Sequence, residues 1–261
     1  MRIIAAIQAR LASTRLPEKV LIDLHGLPML RQIARRLEAS PGISEVVLAT
    51  TTGGSDDALA EAASGWGMGV YRGPVDDLVA RYLGTAEAFD ADGVVRVWGD
   101  CPFVDPGAIG RAVRCFVDGD HLYTSTFRPP GRTFPLGLDV EIYRTSLLRD
   151  IISSSTDPFF REFPVEFVNA HITPERIGSV RHHEDASDLH LTVDYPEDLE
   201  VARSIYAALH KDSGHFDIDT MVSWIRANPE VLSQIEKLAR NAEYRAKKVV
   251  HDRKGSSQGG H

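Results

Sequence analysis

A doubly wound α/β fold built on a mostly parallel sheet is what this chain predicts, on three observations. Short apolar runs alternate four times with amphipathic stretches within about the first 115 residues. The connections between them are short. The first run, Ile3–Ile7, is apolar throughout, as a strand buried on both faces of a sheet reads. Ile3–Ile7 is the first such strand, followed by a polar loop from Gln8 to Lys19. After Gly26, Met29, Leu30, Ile33, Ala34 and Leu37 recur at helical spacing, so Pro28–Ala39 is a helix with its proline in the first turn. Glu45–Thr51 is the second strand, and Ser55, Asp56 and Asp57 cap a helix running to about Ser64. Gly69–Tyr71 is the third strand, Asp76–Phe89 a helix, and Gly93–Trp98 the fourth strand, ending at Gly99-Asp100.

The later half is less regular. His121–Phe127 and Leu138–Tyr143 read as strands around a loop with Pro129, Pro130, Gly131 and Pro135, and Leu189–Asp194 as another. Helices are expected from Pro196 to about Leu209, over Ile218–Ala227, and over Pro229–Lys248. The Gly/Ser/Gln-rich tail 253–261 is expected to be disordered. The arrangement fits a single domain over 1–252 with a protruding insertion at about 127–180.

Composition narrows the function. With 43% hydrophobic and 25% charged residues, the chain is neither disordered, collagen-like nor a coiled coil. Its net charge of −8 repels nucleic-acid phosphates and anionic lipid, so neither is an expected partner. An anionic ligand must then be held by a local basic cluster. Two cysteines, Cys101 and Cys115, make neither a disulfide framework nor a four-cysteine zinc site. No apolar run approaches the roughly 18–20 residues of a membrane span. The N-terminal run is too short for a signal peptide, so a cytoplasmic location is expected.

Ligands of such sheets bind beyond the carboxyl ends of the strands. The loops Gln8–Lys19 and Asp100–Asp105 both leave strand ends and are expected to face one crevice. Arg10, Arg15 and Lys19 lie close together directly after the first strand. Arginine offers a planar bidentate fork and lysine a compact point charge, which suits a polyphosphate; the alternative is a solvated basic loop. The spacing is neither a Walker loop nor a dinucleotide glycine fingerprint.

The run Ile7-Gln8-Ala9-Arg10-Leu11-Ala12-Ser13-Thr14-Arg15-Leu16-Pro17-Glu18-Lys19-Val20-Leu21 resembles the signature loop of the sugar-acid cytidylyltransferases, which make CMP-activated Kdo and sialic acids. It is closer to the family of spore coat polysaccharide biosynthesis protein F, where glutamine stands at the position of Gln8. The resemblance runs from residue 1 to about 209 and is weaker between 128 and 180. It implies a glycosyltransferase-A-like nucleotidyltransferase fold and a nucleotide site of Ala9, Arg10, Ser13, Arg15, Lys19 and Asp100. Lys19, Arg10 and Asp100 are the implied catalytic residues.

Trp98-Gly99-Asp100-Cys101-Pro102 matches the family's Gly-Asp-x-Pro motif, and Val193-Asp194-Tyr195-Pro196-Glu197-Asp198 its second acidic motif. The resemblance places Mg²⁺ on Asp100 and Asp194. Both are expected to end apolar strands and to converge, repelling each other unless a cation lies between them. Glu197 and Asp198, in a first helical turn, are given structural roles, as is Asp105 as a helix cap. Cys101 is expected to pack behind Asp100.

Asp139 and Glu141, in Gly137-Leu138-Asp139-Val140-Glu141, project on one face of their strand and suit a second metal or acceptor hydroxyls; the alternative is an exposed edge strand. Arg161 and Glu162 complete the implied acceptor site. Relatives continue Arg-Glu-His-x-Thr-Pro where this chain reads Arg161-Glu162-Phe163-Pro164-Val165, which leaves the acceptor open. His182, His183 and His190 fit no zinc pattern and are expected to be solvated. The expected activity is Mg²⁺-dependent transfer of CMP from CTP to an acidic sugar, by a homodimer. The alternatives are a nucleotide-sugar glycosyltransferase on the same fold and a non-catalytic nucleotide-binding homologue.

Overall fold

A computed structural model of the protein describes residues 1–127, 131–211 and 215–239. Pro129, Pro130, the expected helix beyond 239 and the tail 253–261 lie outside them. The central strand β1 (Ile3–Gln8) shows why its sequence is apolar throughout. Ile3, Ala5 and Ile7 enter one core cluster, while Ile4 and Ala6 enter a second on the opposite face. A hairpin of β2 (Asp23–Leu24) and β3 (Leu27–Pro28) follows, turning at His25 and Gly26, both at positive φ. Next come α1 (Met29–Glu38), β4 (Glu45–Thr51), α2 (Asp57–Gly65), β5 (Gly69–Gly73), α3 (Leu78–Ala88), β6 (Gly93–Trp98) and α4 (Pro106–Asp118). The remainder is β7 (Tyr123–Ser125), β8 (Glu141–Arg144), α5 (Thr145–Ser154), α6 (Pro158–Glu162), α7 (Pro164–His171), β9 (Ile177–Ser179), α8 (Pro196–Leu209) and α9 (Ile218–Ala227). Residues 229–239 are also helical.

The seven-stranded sheet runs β5-β4-β1-β6-β8-β7-β9. Its first four strands are parallel; β8 is antiparallel to β6 and β7, and β9 is parallel to β7. Apolar faces of α1, α2, α4, α8 and α9 bury against one side of the sheet. Those of α3, α5 and α7 bury against the other. From β1 the chain moves outward through β4 to β5, and α3 then carries it back to β6 on the far side of β1. That reversal opens a crevice between the carboxyl ends of β1 and β6. Gly99 closes its floor, its N–H donating to Gln8 O at 2.9 Å. A Cβ there would lie 2.9 Å from Ala9 Cβ and 3.1 Å from Gln8 O, so only glycine allows the approach.

Two expected strands are corrected. Leu138–Tyr143 forms a ladder only from Glu141 onward. Leu189–Asp194 is no strand: it forms one isolated bridge, Leu136 to His190. The segment is extended and held singly, by Leu136 N–H to Leu189 O (2.9 Å), Leu191 N–H to Leu136 O (2.8 Å) and Val193 N–H to Asp100 O (2.8 Å). Gly137 permits this contact with φ at +99° and a virtual Cβ 2.9 Å from the Leu191 carbonyl carbon. The segment expected as an insertion supplies β8, α5, α6, α7 and β9, none of which except β8 was read from the sequence. No helix among the described residues is long and apolar enough to cross a membrane.

Candidate active site

At the crevice lies a cleft of about 500 Å³ lined by Ala9, Arg10, Ser13, Arg15, Lys19 and Asp100. These are all six residues expected to bind nucleotide. The loop after β1 reaches this place because Asp56 pins it. One carboxylate oxygen of Asp56 accepts from Leu11 N–H at 2.8 Å, and the other from the Thr51 hydroxyl. Asp56 stands at the cap position of α2 yet makes no side-chain cap bond. It is buried, and its oxygens tie the loop to the end of β4 instead. Arg10 is exposed at the cleft and has no ion-pair partner among the described residues.

Lys19 does not stand free in a solvated loop: its side chain is only 11% exposed. Its ammonium donates to Asp100 Oδ2 at 3.0 Å, Val193 O at 3.0 Å and Asp194 Oδ1 at 2.9 Å. Asp100 and Asp194 therefore converge as expected, although Asp194 ends no strand, and the cation between them is Lys19. Arg15 adds a 2.6 Å bond to Asp194 Oδ1 while lying over the Tyr195 ring. Asp198 fixes the backbone here by accepting from the N–H groups of Asp194 and Tyr195 at 2.9 and 2.8 Å. Burial raises its carboxyl pKa. Three oxygens already gathered on one positive charge form a hard donor set of the kind Mg²⁺ takes. Cys101 is buried behind Asp100, and burial, aided by the Asp100 charge, pushes its thiol well up.

Two cleft residues were missed. Arg96, on β6, packs 4.4 Å over the Trp98 ring and pairs with Glu141 at 2.9 Å. Burial, the largest single influence, works to lower its pKa, but Glu141 together with Tyr82, Tyr143 and Tyr123 outweighs it and holds the pKa above the ordinary value. The signal was an arginine inside an otherwise apolar strand. Arg81, on α3, is buried with one bond to Pro74 O at 2.7 Å, and desolvation lowers its pKa. Both line the cleft.

The expected acceptor residues separate. Glu162 lines the cleft, beside Phe163, Val75 and Asp76. Glu141 does not: it is 1% exposed on an interior strand and accepts from Arg96, Tyr123 and Tyr143. Asp139, also buried, is bonded to Arg132, and burial raises its pKa. Arg161 turns away to Asp77 at 2.8 Å and to the carbonyls of Ile152 and Ser155. Asp105 caps α4 through Ala108 N–H at 2.6 Å and also receives Ile218 N–H at 3.0 Å. His182, expected to be solvated, is buried beside Asp219.

A family model for cytidylyltransferases matches residues 4–250. The spore coat polysaccharide biosynthesis protein SpsF of Bacillus subtilis (strain 168) is 28% identical over 248 residues, covering 90% of this chain and 98% of that protein. A cytidylyltransferase structure from Leptospira borgpetersenii serovar Hardjo-bovis (strain JB197) is 31% identical and superposes with a TM-score of 0.81, over 88% of this chain and 96% of that one. A CMP:2-keto-3-deoxy-manno-octonic acid synthetase solved with CTP has the same fold at 20% identity, with a TM-score of 0.61 over 80% and 99% of the two chains. Agreement in sequence and fold along nearly the whole length makes this chain a member of the cytidylyltransferase family, and hence a nucleotidyltransferase.

Proposed function

We propose that the protein transfers CMP from CTP to an acidic sugar or related small acceptor and releases pyrophosphate, as one domain over 1–252 dependent on Mg²⁺. What supports this most is Lys19 set between Asp100 and Asp194 at the floor of an arginine-lined cleft. On a chain of net charge −8, a cleft with Arg10, Arg15, Lys19, Arg81 and Arg96 on its wall is a local reversal of field that suits a triphosphate. Arg10, with no ion-pair partner among the described residues, is placed to take phosphate oxygens bidentately. Asp100 and Asp194 hold the cation. When bound, Mg²⁺ neutralises phosphate charge and acidifies the attacking hydroxyl.

The acceptor oxygen attacks the α-phosphorus, the bond to the bridging oxygen breaks, and pyrophosphate leaves. The protein contributes position and charge. Arg15 and Lys19 hold the departing pyrophosphate, and Glu162 receives acceptor hydroxyls. Glu141 and Arg161 act at one remove, Glu141 by fixing Arg96 and Arg161 by fixing α6 against Asp77. Pyrophosphate release from CTP, UTP and ATP with a panel of sugar acids tests this; turnover with UTP or ATP but not CTP would overturn it.

We also propose a homodimer joined through the 127–180 segment, where Phe159 and Phe163 stand 51% and 45% exposed. Light scattering at micromolar concentration should then give twice 28.7 kDa, and the monomer mass would refute it.

A further inference from the structure

His182 lies outside the cleft lining and is almost wholly buried, its ring 5.4 Å from that of Phe134. Its backbone N–H donates to Thr133 Oγ1 at 2.8 Å, which fixes where the ring points. Nδ1 lies 2.7 Å from the carbonyl oxygen of Glu184. A carbonyl oxygen only accepts, so Nδ1 carries the proton and, in the neutral ring, Nε2 is a bare lone pair. That lone pair faces Oδ1 of Asp219 at 2.8 Å. Two acceptors at this distance repel unless positive charge lies between them or on the ring. His183 Nδ1 approaches the same oxygen at 3.7 Å, and the three ligand atoms lie within 4.8 Å of one another. His183 and Asp219 are exposed, so an ion has a path in.

We propose that His182, His183 and Asp219 bind a divalent transition-metal ion of the zinc type, at a site separate from Asp100 and Asp194. Two imidazole nitrogens and one carboxylate oxygen are a donor set zinc accepts, whereas Mg²⁺ prefers oxygen alone. A ring N–H given to a backbone carbonyl is the usual outer support of a metal-bound histidine, and it leaves Nε2 aimed at the ion. Ligands about 2.0–2.2 Å from a tetrahedral ion stand roughly 3.3 Å apart. The distances of 2.8 and 3.7 Å bracket that spacing, so small turns of the exposed Asp219 and His183 side chains complete the set and water takes the open position. The ion joins segment 181–184 to α9 beside a second tie, the bidentate pair of Arg226 with Asp188 at 2.9 and 2.8 Å.

The test is titration of the full chain with Zn²⁺ against a chromophoric chelator, with Mg²⁺ in large excess to occupy the cleft carboxylates. His183→Ala and Asp219→Asn change exposed side chains, so the interior packing of His182 stays intact. One Zn²⁺ per chain is expected, weakened about tenfold or more in each variant and unchanged in Asp100→Asn. An anomalous-scattering peak beside His182 Nε2 should accompany it. No Zn²⁺ binding means that His182 is merely hydrogen-bonded to Asp219, and overturns the site. Binding kept in His183→Ala but lost in Asp100→Asn overturns it equally.

Discussion

Lys19→Ala removes a single charge that three separate segments share. The ammonium links the loop after β1 to Asp100 at the end of β6 and to Val193 and Asp194 before α8. Charge-assisted bonds contribute about 1.5–3 kcal/mol each when isolated. Here the carboxylates stay 26% and 23% exposed, so water replaces part of the loss, and Arg15 still serves Asp194. Discounted for that screening, the whole set is worth about 2 kcal/mol. In a chain of this size that lowers Tm by about 4–8 °C. Without Lys19 the two carboxylates face each other with no cation between them. Mg²⁺ alone should therefore restore much of the lost stability in Lys19→Ala while moving wild type little. Thermal melts of both proteins with and without Mg²⁺, and calorimetry of CTP binding, check this. A variant that melts with wild type, or equal Mg²⁺ shifts in both, would refute the bridging role.

Asp56→Ala should free the Leu11 N–H and the Thr51 hydroxyl, costing about 1–3 kcal/mol and loosening the phosphate loop. Steady-state kinetics should then show KM for CTP raised about tenfold, the equivalent of roughly 1.4 kcal/mol; an unchanged KM would remove Asp56 from loop positioning. Burial holds the Asp139 carboxyl above its ordinary 3.8, with Arg132 opposing. The folded state then keeps this proton longer than the unfolded chain. Its contribution is full below about 3.8 and falls as pH rises through the folded value. Urea denaturation across that range should show wild type losing stability relative to Asp139→Asn as pH rises, and a pH-independent difference would contradict it.

Much of this architecture is legible in local pattern because β1, β4 and β6 are buried on both faces and need no partner to be recognised. α8 and α9 are likewise readable, each starting at a local signal: Pro196 after Tyr195, and Asp217 capping through Thr220 N–H at 2.8 Å. Leu189–Asp194 misleads because its buried Leu189, Leu191 and Val193 alternate as in a strand, while its neighbours supply single bonds and no ladder. The basic loop was readable from spacing, but Arg96 was not. Its meaning depends on Glu141 standing opposite it in the β6–β8 register, a pairing no local pattern specifies. Asp56 read as a cap for the same reason: its partner Leu11 lies 45 residues away.

The central claim is that Asp100 and Asp194 together hold the ion on which CMP transfer depends. Pyrophosphate release from CTP, with an accepted sugar acid and saturating Mg²⁺, measured for wild type, Asp100→Asn and Asp194→Asn, tests it most directly. Each substitution removes one of the two proposed carboxylate ligands and should cost about 3–4 kcal/mol in the transition state, a loss of roughly 10²–10³ in turnover. Both variants should remain folded, since Lys19 keeps its other carboxylate and the Val193 carbonyl. Near-wild-type turnover in either variant would contradict the paired-aspartate site.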